Sequence, residues 1–166
     1  MTEDATALVV DTGELTLGGT GLGFTSDNRA GLFLRIIKGK KKLRVGERGV
    51  TTIGRIHQGY DADAVVTLVQ WDAAALAKVF PGHVVGTTVT IDTDTVPAGT
   101  REDTTAGQFF TFSWAGALKT ITAAIVCVSI SADQIPFNID TVSPLTLEID
   151  FIENPATNEI LKIADT

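Results

Sequence analysis

The sequence is poor in the residues that carry most protein chemistry. Its 166 residues include one cysteine, two histidines, one methionine and one tyrosine. A lone Cys127 excludes a disulfide framework within the chain and cannot build a thiolate zinc site. It lies in the apolar run ITAAIVCVSI, where a thiol acts as a small hydrophobe with a raised pKa and little reactivity. His57 in GRIHQG and His83 in FPGHVVG form no HExxH-type pair, and His83 reads as a residue suited to the helix C-terminus before it. No apolar run approaches the roughly eighteen residues of a membrane-spanning helix. The start, MTEDATALVV, carries acids where a secretory signal needs a basic region. The expectation is a soluble chain made in a reducing cytoplasm.

What the chain does have is charge, unevenly spread. Between Arg35 and Arg55, eight bases (Arg35, Lys38, Lys40, Lys41, Lys42, Arg44, Arg48 and Arg55) meet one acid, Glu47, a net of +7. The remainder has five bases and nineteen acids, a net of −14. Two opposed patches on one chain suit head-to-tail self-association, because each copy carries both complementary surfaces. A solvated basic loop is the plainer alternative. Nucleic-acid contact through the same stretch is a third, opposed by repulsion between phosphates and the acidic remainder.

Apolar periodicity predicts a mainly β fold: a β-sandwich or barrel with one short packed α-helix and a long extended loop. One domain spans 1–166, with 1–12 expected as an N-terminal arm and 38–55 as the extended basic loop. Leu145, Leu147, Ile149 and Phe151 alternate with polar residues, as do Phe110, Phe112 and Trp114, and Val85 to Ile91. Further strands are expected at Leu8–Val10, Glu14–Leu17, Leu32–Ile37, Ile53–Gln58, Val65–Gln70 and Ile160–Ile163. Ile121 to Ile130 is apolar on both faces and predicts a central strand covered by core on each side or by a neighbouring subunit. WDAAALAKVFPG, Trp71 to Gly82, predicts the helix, with Asp72 capping and Pro-Gly ending it. Thr93 to Gln108 reads as a polar loop.

The glycine cluster GGTGLGF fails as a dinucleotide fingerprint. Counting from Gly19, the third position is Gly21 but the sixth is Phe24, and a strand follows instead of a helix. GKKK lacks the upstream glycine and the Ser or Thr of a P-loop. The glycines read instead as hinges between paired strands. Asp61 with Asp63, and Asp92 with Asp94, have the spacing to share a strand face and hold a cation, but read as solvated turn acids. No catalytic, metal-binding or cofactor-binding residues are expected, and the chain reads as not an enzyme.

The order of these segments carries a resemblance. Gly13 to Thr25, GELTLGGTGLGFT, matches the opening G-x-(L/V)-x-(L/V)-G-G-T-x-L-G-x-T of the major tail tube proteins of long-tailed bacteriophages. The strand LFLRII with its basic extension, the strand and helix of Val65 to Gly82, and the closing SPLTLEIDFIENPATNEILKI are similar to that family in order. The likeness is closest over Asp11–Gly82 and looser over Thr93–Ser131.

The resemblance implies hexameric rings stacked into a hollow tail tube around a tape-measure protein, capped by a tail terminator. DNA would pass through an acidic lumen without specific binding, in a virion assembled in the host cytoplasm, with no membrane contact. Lys38, Lys40, Lys41, Lys42, Arg44, Arg48 and Arg55 then become the expected inter-ring contact. Ile121, Ile125, Val126, Val128 and Ile130 become the expected inter-subunit sheet. Related single-ring connector, neck and terminator proteins, and the tube proteins of bacterial injection systems, share the pattern. A nucleic-acid-binding β-barrel is the reading from another class, and the absence of aromatics inside the basic stretch weighs against it.

Overall fold

The computed structural model describes residues 13–24, 32–44, 52–68, 71–92, 94–131, 134–135, 137 and 144–166. The expected N-terminal arm, the strand Leu8–Val10 and Arg48 lie outside the described residues. The protein is mainly β, and its principal sheet is antiparallel throughout. The strands are β1 (Glu14–Leu17), β2 (Thr20–Phe24), β3 (Leu32–Arg44), β4 (Thr52–Leu68), β5 (Val84–Val85), β6 (Thr88–Val89), β7 (Phe110–Ala115), β8 (Lys119–Ile130), β9 (Leu145–Phe151) and β10 (Lys162–Asp165). Among the described residues one α-helix, α1, spans Ala73–Val79. The sheet runs β2-β1-β7-β8-β9-β4-β3, with β10 beside β8; β5 and β6 form a separate small hairpin.

Period-two patterning builds the core. Leu145, Leu147, Ile149 and Phe151 all point inward from β9, and Ala62, Ala64, Val66 and Leu68 do the same from β4. Leu15, Leu17, Leu22, Phe112 and Trp114 join the same cluster from the other half of the sheet. The sheet curls far enough for β2 to lie against β4, so one buried face serves both halves. Phe112 and Phe151 meet edge-on there, with centroids 5.1 Å apart.

Helix α1 lies against β2 and β8 and covers the core with Ala75, Leu76 and Val79. Asp72 starts it: the carboxylate accepts the amides of Ala74 (2.9 Å) and Ala75 (3.2 Å), two donors a helix start leaves unpaired.

The glycine arch is a hairpin. Gly18 and Gly19, at φ +56° and +76°, make the two-residue turn between β1 and β2, a geometry that glycine adopts without steric cost. The strands it joins do pair, β1 with β2 and, on its other edge, with β7, while β3, the next strand along the chain, lies at the far edge of the sheet.

Three sequence expectations need correction. Val85 to Ile91 is not one strand, because Gly86 at φ +63° turns the chain back between β5 and β6. Ile53–Gln58 and the described part of Val65–Gln70, to Leu68, belong to one seventeen-residue strand, β4; residues 69–70 lie outside the described residues. The basic stretch 38–55 is no extended loop over its described part: β3 continues to Arg44 and pairs with β4 back to Thr52.

Candidate assembly surfaces

β4 pairs with β9 only from Ala62 to Leu68. Thr52 to Asp61 therefore continue with β3 alone, as a two-stranded arm about 30 Å long. Its described side chains, over 38–43 and 54–61, are exposed nearly throughout.

Alternation divides the arm into two faces. Lys38, Lys40 and Lys42 project from one face of β3, and Lys41 from the other. Across the ladder, Lys38 is opposite Tyr60, Lys40 opposite His57 and Lys42 opposite Arg55. Residues 57 and 60 would ordinarily face opposite ways. They share a face because β4 holds one extra residue at Gln58–Gly59, where Gly59 takes φ +104°. The His57 and Tyr60 rings consequently meet at 4.5 Å between centroids, and Lys38 Nζ stands 5.9 Å from the centre of the Tyr60 ring. The reverse face carries Ile37, Lys41, Leu43 and Ile56, its three apolar side chains 40–48% exposed.

Of the seven expected contact cations, the arm thus gathers Lys38, Lys40, Lys42 and Arg55 on one face and turns Lys41 away. Arg44 ends β3. Arg35 belongs elsewhere: its Nε donates to Asp63 Oδ1 at 2.9 Å and its Nη2 pairs with Oδ2. That pair raises the Arg35 pKa. His57 and Tyr60 were not anticipated as part of this surface, although Gly59 in HQGY is the signal for the bulge that puts them there.

Behind the arm, the outward face of β3, β4 and β9 is acidic. Asp63 is opposite Asp150 and Val65 opposite Glu148, and with Phe33 and Arg35 they line a shallow groove of about 510 Å³. Burial, followed by the charges of Asp63, Glu148 and Asp61, pushes the Asp150 carboxyl above its ordinary value. Asp61 and Asp63 do share a strand face, but Asp63 is held by Arg35. Asp92 accepts the amides of Asp94 (3.0 Å) and Thr95 (2.8 Å), a turn cap that lowers its pKa. Among the described residues no group of three or more His, Cys, Asp or Glu is placed to hold a metal ion.

Ile121, Val126, Val128 and Ile130 of the expected inter-subunit sheet lie in the chain's own core, at 5, 0, 9 and 9% exposure. Ile125 alone is half-exposed on the other side. The apparent two-faced pattern comes from a bulge: Phe110 pairs with Val126 and Phe112 with Ala123. Three residues of β8 thus match two of β7, and the inward parity switches midway. On one side β8 pairs with β7 as far as Val126, and on the other with β9 and β10. The edges left open among the described strands of the large sheet include those of β2 and β3 at its two ends, the outer edges of β10 and of the arm portion of β4, and β8 from Cys127 to Ile130 beyond the end of β7.

Cys127 faces away from the core, half-buried, and burial with nearby Glu102, Asp103 and Asp150 raises its pKa to about 11. His83 is buried and fixes the β5–β6 hairpin, with Nδ1 2.8 Å from the Thr90 carbonyl oxygen.

A scan against protein-family models gave no match, and no curated protein matches the chain. Among the described residues no helix is long and apolar enough to cross a membrane.

Proposed function

We propose that the chain is a structural, non-catalytic subunit that assembles with copies of itself into rings and stacked tubes, in the manner of phage tail tubes. The observation that carries this reading is the arm. A two-stranded ribbon about 30 Å long, with exposed charged and apolar side chains, reaches past the sheet that roots it. It has the reach to touch a second ring. Open edges at β2 and β3, one at each end of the sheet, support head-to-tail addition of neighbours within a ring. The acidic outward face around Asp63, Glu148 and Asp150 suits a channel that DNA passes without adhering. A tape-measure protein inside the channel, a terminator at its end and a place in the virion tail belong to the same proposal.

Negative-stain microscopy of the purified chain tests it. Stacked tubes are expected; lone rings or dispersed monomers at high concentration would refute the tube. Lys40→Glu, Lys41→Glu and Lys42→Glu together should leave the thermal melt unchanged and shorten or abolish tubes. Normal tubes from that variant would remove the arm from the inter-ring contact.

A further inference from the structure

The basic face of the arm is organised in a way that self-assembly alone does not require. Lys42 lies directly opposite Arg55 and Lys40 opposite His57. The Lys42–Arg55 pair sets like charges across the ladder, which destabilises it, and no ion pair among the described residues uses Lys38, Lys40, Lys42 or Arg55. Nor does the described arm beyond Tyr60 contain an acidic side chain. An anion shared by several of these groups would relieve the repulsion.

Spacing gives that anion its shape. Same-face residues on a strand repeat every 6.6 Å or so, close to the interval between successive phosphates on an extended nucleic-acid strand. Lys38, Lys40 and Lys42 form such a row, with Arg55 beside its outer end. At its inner end stands Tyr60, 57% exposed, with the His57 ring against it beside the middle of the row. The bulge at Gly59 thus adds the stacking surface that the linear sequence lacks. A cationic row beside an exposed aromatic is how sequence-independent single-strand binders hold phosphates and unpaired bases. The acidic body does not cancel the attraction. At the outer end, Arg55 stands about 20 Å along β4 from Asp61, more than two screening lengths at physiological salt, whereas Lys38 is one rung from Asp61. A membrane surface suits the arm less well, because Lys41 sits among Ile37, Leu43 and Ile56 on its apolar side.

We infer that the Lys38–Lys40–Lys42–Arg55 face, with Tyr60 and His57, binds single-stranded nucleic acid through its phosphates and without sequence preference. This goes beyond the tube reading. It is a property of the dispersed subunit, and it competes with any neighbour that covers the arm.

Fluorescence anisotropy with a labelled twenty-base oligothymidine, on protein shown monomeric by sedimentation velocity, is the test. Four phosphate contacts predict a log–log salt slope of about −2.8, or roughly 50-fold weaker binding at 200 mM than at 50 mM salt. Lys40→Ala with Lys42→Ala should halve the slope, leaving a loss of about sevenfold over the same range. Lys41→Ala, on the opposite face, should leave the slope unchanged. Tyr60→Ala should weaken the single strand by fivefold or more, in line with a stacked base, while Tyr60→Phe retains binding. Absence of salt-dependent binding overturns the inference, and so does an equal effect from Lys41→Ala, which would mean diffuse charge. Self-association abolished by Lys40→Ala with Lys42→Ala, without any oligonucleotide binding, would assign the face to a second copy instead. Tube formation is scored separately by microscopy, so the two readings fail independently.

Discussion

Gly13 sits where a side chain has no room. A Cβ built on it would lie 2.2 Å from Trp114 Cε2, against an ordinary carbon–carbon contact of about 3.5–4.0 Å. Gly13→Ala therefore forces the indole or the start of β1 to move by about 1.5 Å. Trp114 is 5% exposed and belongs to the core cluster, so the ring has no solvent-side escape. Overpacking of this kind costs about 1–3 kcal/mol. The stiffer unfolded chain returns about 0.4–1 kcal/mol, leaving a net loss of about 1–2 kcal/mol. In a chain of this size that lowers Tm by about 2–8 °C. The indole Nε1 is buried with no hydrogen-bond partner among the described residues, so Trp114→Phe removes the obstacle and that buried donor together. Urea unfolding followed by circular dichroism should show Gly13→Ala costing about 0.5 kcal/mol or less in the Trp114→Phe background, a coupling characteristic of touching residues. Equal cost in both backgrounds, or none in the wild type, would refute the steric account.

Asp72→Ala removes the cap of α1 and should cost about 1 kcal/mol, read as a Tm about 2–4 °C lower. Asp150 has a folded-state pKa above its unfolded one, so the folded chain keeps its proton when the unfolded chain has lost it. Stability from this group falls as pH rises from the ordinary aspartate range through the raised value, then levels off. Asp150→Asn should therefore stabilise the protein at neutral pH and do little in acid, as measured by urea midpoints at several pH values. With its pKa moved from 9.0 to about 11, the Cys127 thiol has about 100-fold less thiolate at neutral pH. A disulfide reagent should label the native chain at least that much more slowly than the urea-unfolded chain. Gly59→Ala meets a backbone at φ +104° that side chains rarely adopt. Hydrogen exchange should show faster arm amides with the core amides unchanged, because the arm opens separately from the body.

The core was legible because alternation is a local signal with a global meaning. Leu145 to Phe151 names its buried face residue by residue, and Asp72 marks the helix start equally well. Two of the failures share one cause. At Ala123–Val126 and Gln58–Gly59 a bulge changes strand parity, and a pattern read with a fixed period of two then assigns side chains to the wrong face. In β8 this made one core face look like two apolar faces and suggested a subunit contact. In β4 it hid the meeting of His57 and Tyr60. Gly86 misled in another way, since a two-residue turn inside VVGTTVTID interrupts no apolar alternation.

The arm was missed for an energetic reason. QGYDAD and KGKKK have low strand propensity, and an isolated two-stranded ribbon is marginal in water. What orders the arm is its root, where β3 and β4 are already aligned and Leu34 and Ile36 lie opposite the buried Ala64 and Ala62. Outward from Tyr60 the ladder gains no core burial and takes on the opposition of Lys42 and Arg55. Its order should therefore fall along its length, and whatever neutralises those cations should stabilise its outer strand pairs more than its root. Protection of the Lys41 and Lys42 amides, compared with and without a bound polyanion or a neighbouring copy, measures that coupling directly. An arm equally protected in both states would be ordered by its own strand pairing, and a covering partner would then add contacts without adding order.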